Sequence, residues 1–211
     1  MTRSSLARRS ALLVALAASS LFSACAPLLV GGAMVGTTMV VADRRTSGTQ
    51  VEDQGIELKS LTRIREAIGD RGHVNATSYN RLVLLSGEVG SEADKAAVEQ
   101  NVAKIENVRS IVNELGVMGS ASLTSRSNDT ILTSKVKASF VDAKDLQANA
   151  VKVVTERSVV YLMGRVTERE ASRASDIARG VSGVQKVVRV FEVITEAELA
   201  DLVPKQVQKQ P

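Results

Sequence analysis

Few side chains in this protein could do chemistry, and none of them falls into a catalytic set. His73 is the only histidine and Cys25 the only cysteine, so a hydroxyl or thiol nucleophile would have a single imidazole to draw on. One thiol allows no intramolecular disulfide and none of the metal sites that need several cysteines. Glu168 and Glu170 could be imagined as an acid and base pair. They follow Thr167 beside Arg169 and Arg173, however, and read as the first turn of a helix, where the dipole favours carboxylates. Gly31, Gly32 and Gly36 lack the lysine and the preceding strand of a phosphate loop. His73 opens an alternating run and reads as an edge-strand residue. The expectation is a protein without catalysis, metal or cofactor.

Composition narrows the partners. Aromatic residues make up 2% of the 211, with no tryptophan, so stacking platforms for single-stranded nucleic acid are missing. The net charge of +4 also misleads. Residues 1–24 hold Arg3, Arg8 and Arg9 and no acid, so without them the 27 basic residues fall to 24 against 23 acidic ones. No nucleic-acid partner is expected.

Those first 24 residues read as a leader. Three arginines precede an apolar run from Ala11 to Phe22, too short for a comfortable span and suited to a signal-peptide core. The run ends in LFSAC, which resembles the lipobox of bacterial lipoproteins; the resemblance implies that Cys25 carries the lipid, and Ala26 after it implies export to the outer membrane. Residues 25–56 then read as a lipidated segment and linker: PLLVGGAMVGTTMVVA is apolar but broken by glycine, and DRRTSGTQVEDQG is polar.

The remainder says nearly the same thing twice. Leu61, Ile64 and Ile68 recur at helical spacing, as do Leu132, Val136 and Phe140 after Asp129, which is placed to cap a helix. Two alternating runs follow in each copy, HVNATSY with RLVLLSGEV and AVKVVTE with SVVYLMGRV, turning at Asn80 and Arg157. Ser91 to Asp94 and Thr167 to Glu170 each have a hydroxyl and an acid three residues later, the signature of a capped second helix. Val98, Val102 and Ile105, and Ala174, Ala178 and Val181, would line its buried side. NVRSIVNELGV and GVQKVVRVFEV close the copies as third strands, parallel to the second because a helix intervenes. The fold class expected is α+β: two tandem units, each helix-strand-strand-helix-strand with two helices on one face of a three-stranded mixed sheet. Their bounds are 57–118 and 129–195, with 119–128 as linker and 196–211 as a frayed tail. The glycines 87 and 164 are 77 residues apart, whereas the opening helices align at about 72.

This pattern of apolar strand, glycine, valine, capped helix and closing strand resembles the BON domain, in VYLMGRVTEREA and GVSGVQKVV above all. Two copies behind a lipobox resemble the dual-BON outer-membrane lipoproteins. The resemblance implies a periplasmic module that binds phospholipid and supports envelope integrity, in some members at the division site.

Lipid contact needs positive charge and free apolar side chains together. Residues 57–118 hold 8 basic and 9 acidic side chains, and residues 125–195 hold 12 and 8, so the second copy is the better candidate. With Leu132, Val136 and Phe140 turned inward, Ile131, Ser134, Lys135, Ala138 and Val141 fall on the opposite face of their helix. The expected partner is an anionic, phosphatidylglycerol-like membrane met through those five residues. The alternative is an adaptor that binds an envelope protein through its sheet edges.

Overall fold

The computed structural model describes residues 43–202, all within one compact unit. Cys25, the leader and residues 27–42 lie outside the described residues. In the first half, α1 (Ser47–Ile68) leads into the hairpin β1 (Gly72–Tyr79) and β2 (Leu82–Val89), then α2 (Glu92–Val102) and the short strands β3 (Ser110–Asn113) and β4 (Gly116–Val117). In the second, α3 (Leu123–Asp142) and a 3-10 turn at Ala148–Ala150 precede β5 (Lys152–Glu156) and β6 (Val159–Val166), then α4 (Glu168–Gly180) and β7 (Lys186–Val193). A last helix, α5 (Glu196–Leu202), follows Thr195, whose hydroxyl accepts from the Glu198 amide at 3.1 Å. Residues 196–202 are therefore helical rather than frayed.

Each half is the expected α+β unit, with β1 antiparallel and β3 parallel to β2, and with β5 antiparallel and β7 parallel to β6. The closing strand of the first half is interrupted. β3 and β4 hold one register on β2, from Leu85↔Asn113 to Glu88↔Gly116, and between them Leu115 drops into the core, making that sheet four-stranded by count.

Alternation along the central strands explains how the halves join. Val83, Leu85 and Val89 face α1 and α2, and Val160, Leu162 and Val166 face α3 and α4. The intervening residues Leu84, Tyr161 and Met163 meet, with Tyr79 and Val190, in a third core made by both sheets. The helix-free faces are thus packed together in the order helices, sheet, sheet, helices.

The opening helices differ from the sequence expectation in register. Both begin earlier than expected, α1 capped by Thr46 and α3 by Ser122, so the polar stretch read as a linker is already helical from Ser47 and the inter-domain linker ends at Ser122. Asp129 is no cap: it lies buried inside α3. Leu61 is exposed, and Ser60 occupies the buried position instead, its hydroxyl donating to the Ile56 carbonyl at 2.8 Å. Ile56, Ser60 and Ile64 therefore correspond to Leu132, Val136 and Phe140. The helices repeat at 76 residues rather than 72.

Glycine 87, at φ 114°, lies against β1, and glycine 164 lies against the 3-10 turn just ahead of β5. A Cβ on either would overlap a backbone carbonyl, of His73 or of Ala150. Gly164→Ala is expected to lower stability by about 2–3 kcal/mol in urea melts, whereas Gly180→Ala, with open space around it, should be near neutral.

Candidate functional site

The hairpin turns show how the helices are set on the sheets. Asn80 and Arg81 both have positive φ, as do Arg157 and Ser158, the geometry of a two-residue type I′ hairpin. Such a turn points two adjacent amides at the opening helix. In the first half Asp53 takes both, from Asn80 and Arg81 at 2.8 Å each; in the second, Asp129 takes those of Arg157 and Ser158 at 2.8 Å each. Asp53 also accepts from the Ser78 hydroxyl at 2.6 Å and from Arg45 at 2.7 Å. Burial pushes its carboxyl up, but these bonds outweigh burial and hold it below the usual carboxylate range.

The same clasp fixes α3. Leu132, Val136 and Phe140 are buried, and the face opposite them is open: Ile131 is 55% exposed and Val141 72%, with Ser134, Lys135 and Ala138 also exposed. All five residues expected to meet lipid are brought together on that face, at spacings of three and four. Earlier initiation of α3 adds Leu123, 80% exposed, which sequence reasoning missed because it assigned residues 119–128 to a linker. Two hollows flank the helix. Toward α4 a shallow groove of about 570 Å³ is bounded by Lys135, Ala138, Ile177 and Val181; toward the domain seam a hollow of about 380 Å³ is bounded by Lys137, Val141, Tyr79 and Lys152. Among the described residues no helix is long and apolar enough to cross a membrane.

The first half carries an exposed stripe of its own, which the misplaced register of α1 concealed. Val51, Leu58 and Leu61 stand on one side of α1, 69%, 66% and 55% exposed.

Across the seam the two halves exchange ion pairs. Arg44, just ahead of α1, forks onto Glu170 at 2.7 Å twice and onto the Arg165 carbonyl at 2.8 Å. Arg45 lies over the Tyr79 ring, 4.2 Å from its centroid. Glu88, fully buried, receives Arg157 at 3.0 Å and the Ala121 amide at 3.1 Å. Glu192 receives Asn80 and Arg109, and Glu57 receives Lys152. Glu168 and Glu170 serve different arginines: Glu168 binds Arg189 at 2.6 Å, while Glu170 closes a full capping box with Thr167. In the first half the corresponding acid, Asp94, takes the Ser91 hydroxyl and Arg71 instead.

His73 stands at the start of β1, its Nε2 3.4 Å from the Asn75 amide, in no arrangement with a nucleophile. Burial, then the charge of Arg126, lower its pKa. No group of three potential ligands that could hold a metal occurs among the described residues.

Two sheets each made of a hairpin and a helix-crossed third strand, with the apolar side chains of the two inner faces interlocked, define a tandem α+β module. The BON domain model matches residues 53–119 and 128–195, and the chain belongs to the BON-domain family. It is a dual-BON outer-membrane lipoprotein: it is 37% identical to the outer membrane lipoprotein DolP of Haemophilus influenzae over 186 residues, 87% of this chain and 95% of that one. It is also similar to the 21 kDa hemolysin of Actinobacillus pleuropneumoniae, 29% identical over 72% of this chain and 79% of that one. The osmotically-inducible protein Y of Escherichia coli is 29% identical over 66% of this chain and 72% of its own length.

Proposed function

We propose that this lipoprotein is held at the periplasmic face of the outer membrane by acyl chains on Cys25, works without catalysis, and binds anionic phospholipid through α3 of its second BON domain. The observation that carries the reading is the outward face of α3, where Ile131, Ala138 and Val141 lie open beside Lys135 and opposite a complete core. Each lysine near an anionic surface contributes on the order of 1 kcal/mol. Without tryptophan the insertion is shallow, and the acyl anchor supplies local concentration. By holding phospholipid at this face, also at the division site, the protein supports envelope integrity.

The test is co-sedimentation of residues 25–211, bearing Cys25→Ser, with vesicles of phosphatidylcholine alone or mixed with phosphatidylglycerol. Binding is expected only to the anionic vesicles, and Ile131→Glu with Lys135→Glu should weaken it about tenfold or more. Equal binding to both vesicle types, or an unaffected double variant, would refute the lipid reading.

An adaptor role for a protein partner has one observation in its favour, the α1 stripe. A photo-crosslinker at Leu58 that captured one stoichiometric envelope protein in cells, with no lipid adduct from Ile131, would establish the adaptor in place of the lipid reader.

A further inference from the structure

Seam arginines in this molecule have partners: Arg44, Arg45, Arg109, Arg157 and Arg165 each meet a carboxylate within 4 Å. Arg126 does not. Its Nε is buried with no hydrogen-bond partner, and no ion pair reaches its guanidinium among the described residues. It stands in the first turn of α3, where the helix dipole disfavours a cation, and it opens on a polar hollow of about 190 Å³ between β1 of the first domain and α3 and β5 of the second. A buried donor left without an acceptor is destabilising, and Arg126 as a whole is only half-buried, so its guanidinium can take an acceptor from the hollow.

His73 and Asn75 line the rest of the hollow from β1, and Thr130, Thr133 and Thr155 from the second domain. The Thr130 hydroxyl already donates to the Arg126 carbonyl at 3.1 Å. The Thr133 hydroxyl donates to that of Thr155 at 2.7 Å, which leaves the Thr155 proton to be given elsewhere. Two acids also line it, and both are engaged. Asp129 spends its oxygens on the hairpin amides, and Glu156 accepts from the Asn75 amide at 3.2 Å. We propose that this hollow is an oxyanion site for a phosphate group, with the Arg126 guanidinium as its principal ligand and the Thr155 hydroxyl and His73 beside it. An oxyanion there would bridge the two domains, and none of the five residues of the proposed lipid surface lines the hollow.

Glu156 gives the site a pH signature. It faces Asn75 and His73 of β1, Glu88 of β2, Arg126 and Asp129 of α3, and Tyr161 of β6. Burial first, then Glu88 and Asp129, raise its pKa. An anion is therefore repelled while Glu156 is ionised and accepted once it is protonated, and His73 gains charge in the same direction.

Phosphate exists free and on lipid headgroups, and the probes separate these sources: inorganic phosphate and sulfate in solution, and phosphatidylglycerol vesicles, each against residues 25–211 with Cys25→Ser. Sulfate, whose charge is fixed, should shift the Arg126 side-chain NMR signal in a saturable way, more strongly at pH 5 than at pH 7.5. Arg126→Gln should weaken the oxyanion about tenfold and Arg126→Lys less. Ile131→Glu should leave the response to soluble ions intact. If vesicles shift Arg126 and soluble ions do so only weakly, the headgroup is the source; the reverse marks a free anion. No saturable response to any probe would overturn the site. So would stability coupling between Arg126→Gln and Glu156→Gln without an anion response, since Arg126 would then be the partner of Glu156.

Discussion

Arg44→Ala is expected to destabilise the fold by about 3–5 kcal/mol, because it leaves the Glu170 carboxylate buried without its partner. The two side chains are 7% and 6% exposed, and the contact is a double fork, so solvent does not replace the guanidinium. Glu170 also closes the capping box of α4, which couples the loss to the start of that helix. Chemical denaturation at pH 7 measures the effect, and Arg44→Met combined with Glu170→Gln should recover a large part of it. The pair has a pH signature. Burial pushes the Glu170 carboxyl up, but the bonds from Arg44 and the Thr167 amide outweigh it and hold the folded-state pKa below the ordinary value of 4.5. A depressed carboxyl contributes stability that is complete above its unfolded pKa and is lost as pH falls through the folded one, so the gap between wild type and variant should narrow as pH falls below 4.5.

Asp53→Ala should cost a similar amount, about 3–5 kcal/mol, and Asp129→Ala about 2–3 kcal/mol. Either change orphans two turn amides, at a penalty of about 1–3 kcal/mol for each buried group. Asp53 carries more because the Ser78 hydroxyl and Arg45 depend on the same carboxylate. Asparagine is a poor substitute at either position, since one of the two acceptors becomes a donor facing a donor. Amide exchange at Asn80 and Arg81, or at Arg157 and Ser158, should accelerate selectively in the asparagine variants. A uniform loss of protection would mean that these aspartates do not hold the turns.

Much of this architecture could be read before any coordinates. Hairpins, crossovers and helix starts are local: alternation, a hydroxyl followed three residues later by an acid, and a glycine at a close crossing all speak within a dozen residues. The opening helices could not be read so well. Ser60 faces the core because its hydroxyl is satisfied within the helix, and Leu61 beside it faces solvent, so the apolar pattern pointed one position off. Asp129 has the chemistry of a cap, and only the hairpin 28 residues later shows that its carboxylate serves a turn. The outward residues of α3 were legible because Leu132, Val136 and Phe140 fix the helix rotation. Arg44 and Arg126 were not, since their settings belong to the seam, and a seam between two sheets leaves no periodic trace in either strand beyond an apolar residue on both faces.

On the function proposed above, α3 rather than α1 reads the anionic membrane. Residue-resolved NMR titration of the unlipidated protein with phosphatidylglycerol bilayer discs tests it directly. Perturbations are expected at Leu123, Ile131, Ser134, Lys135, Ala138 and Val141, saturating together and absent with phosphatidylcholine alone. Perturbations centred on Val51, Leu58 and Leu61, or indifference to headgroup charge, would contradict the assignment.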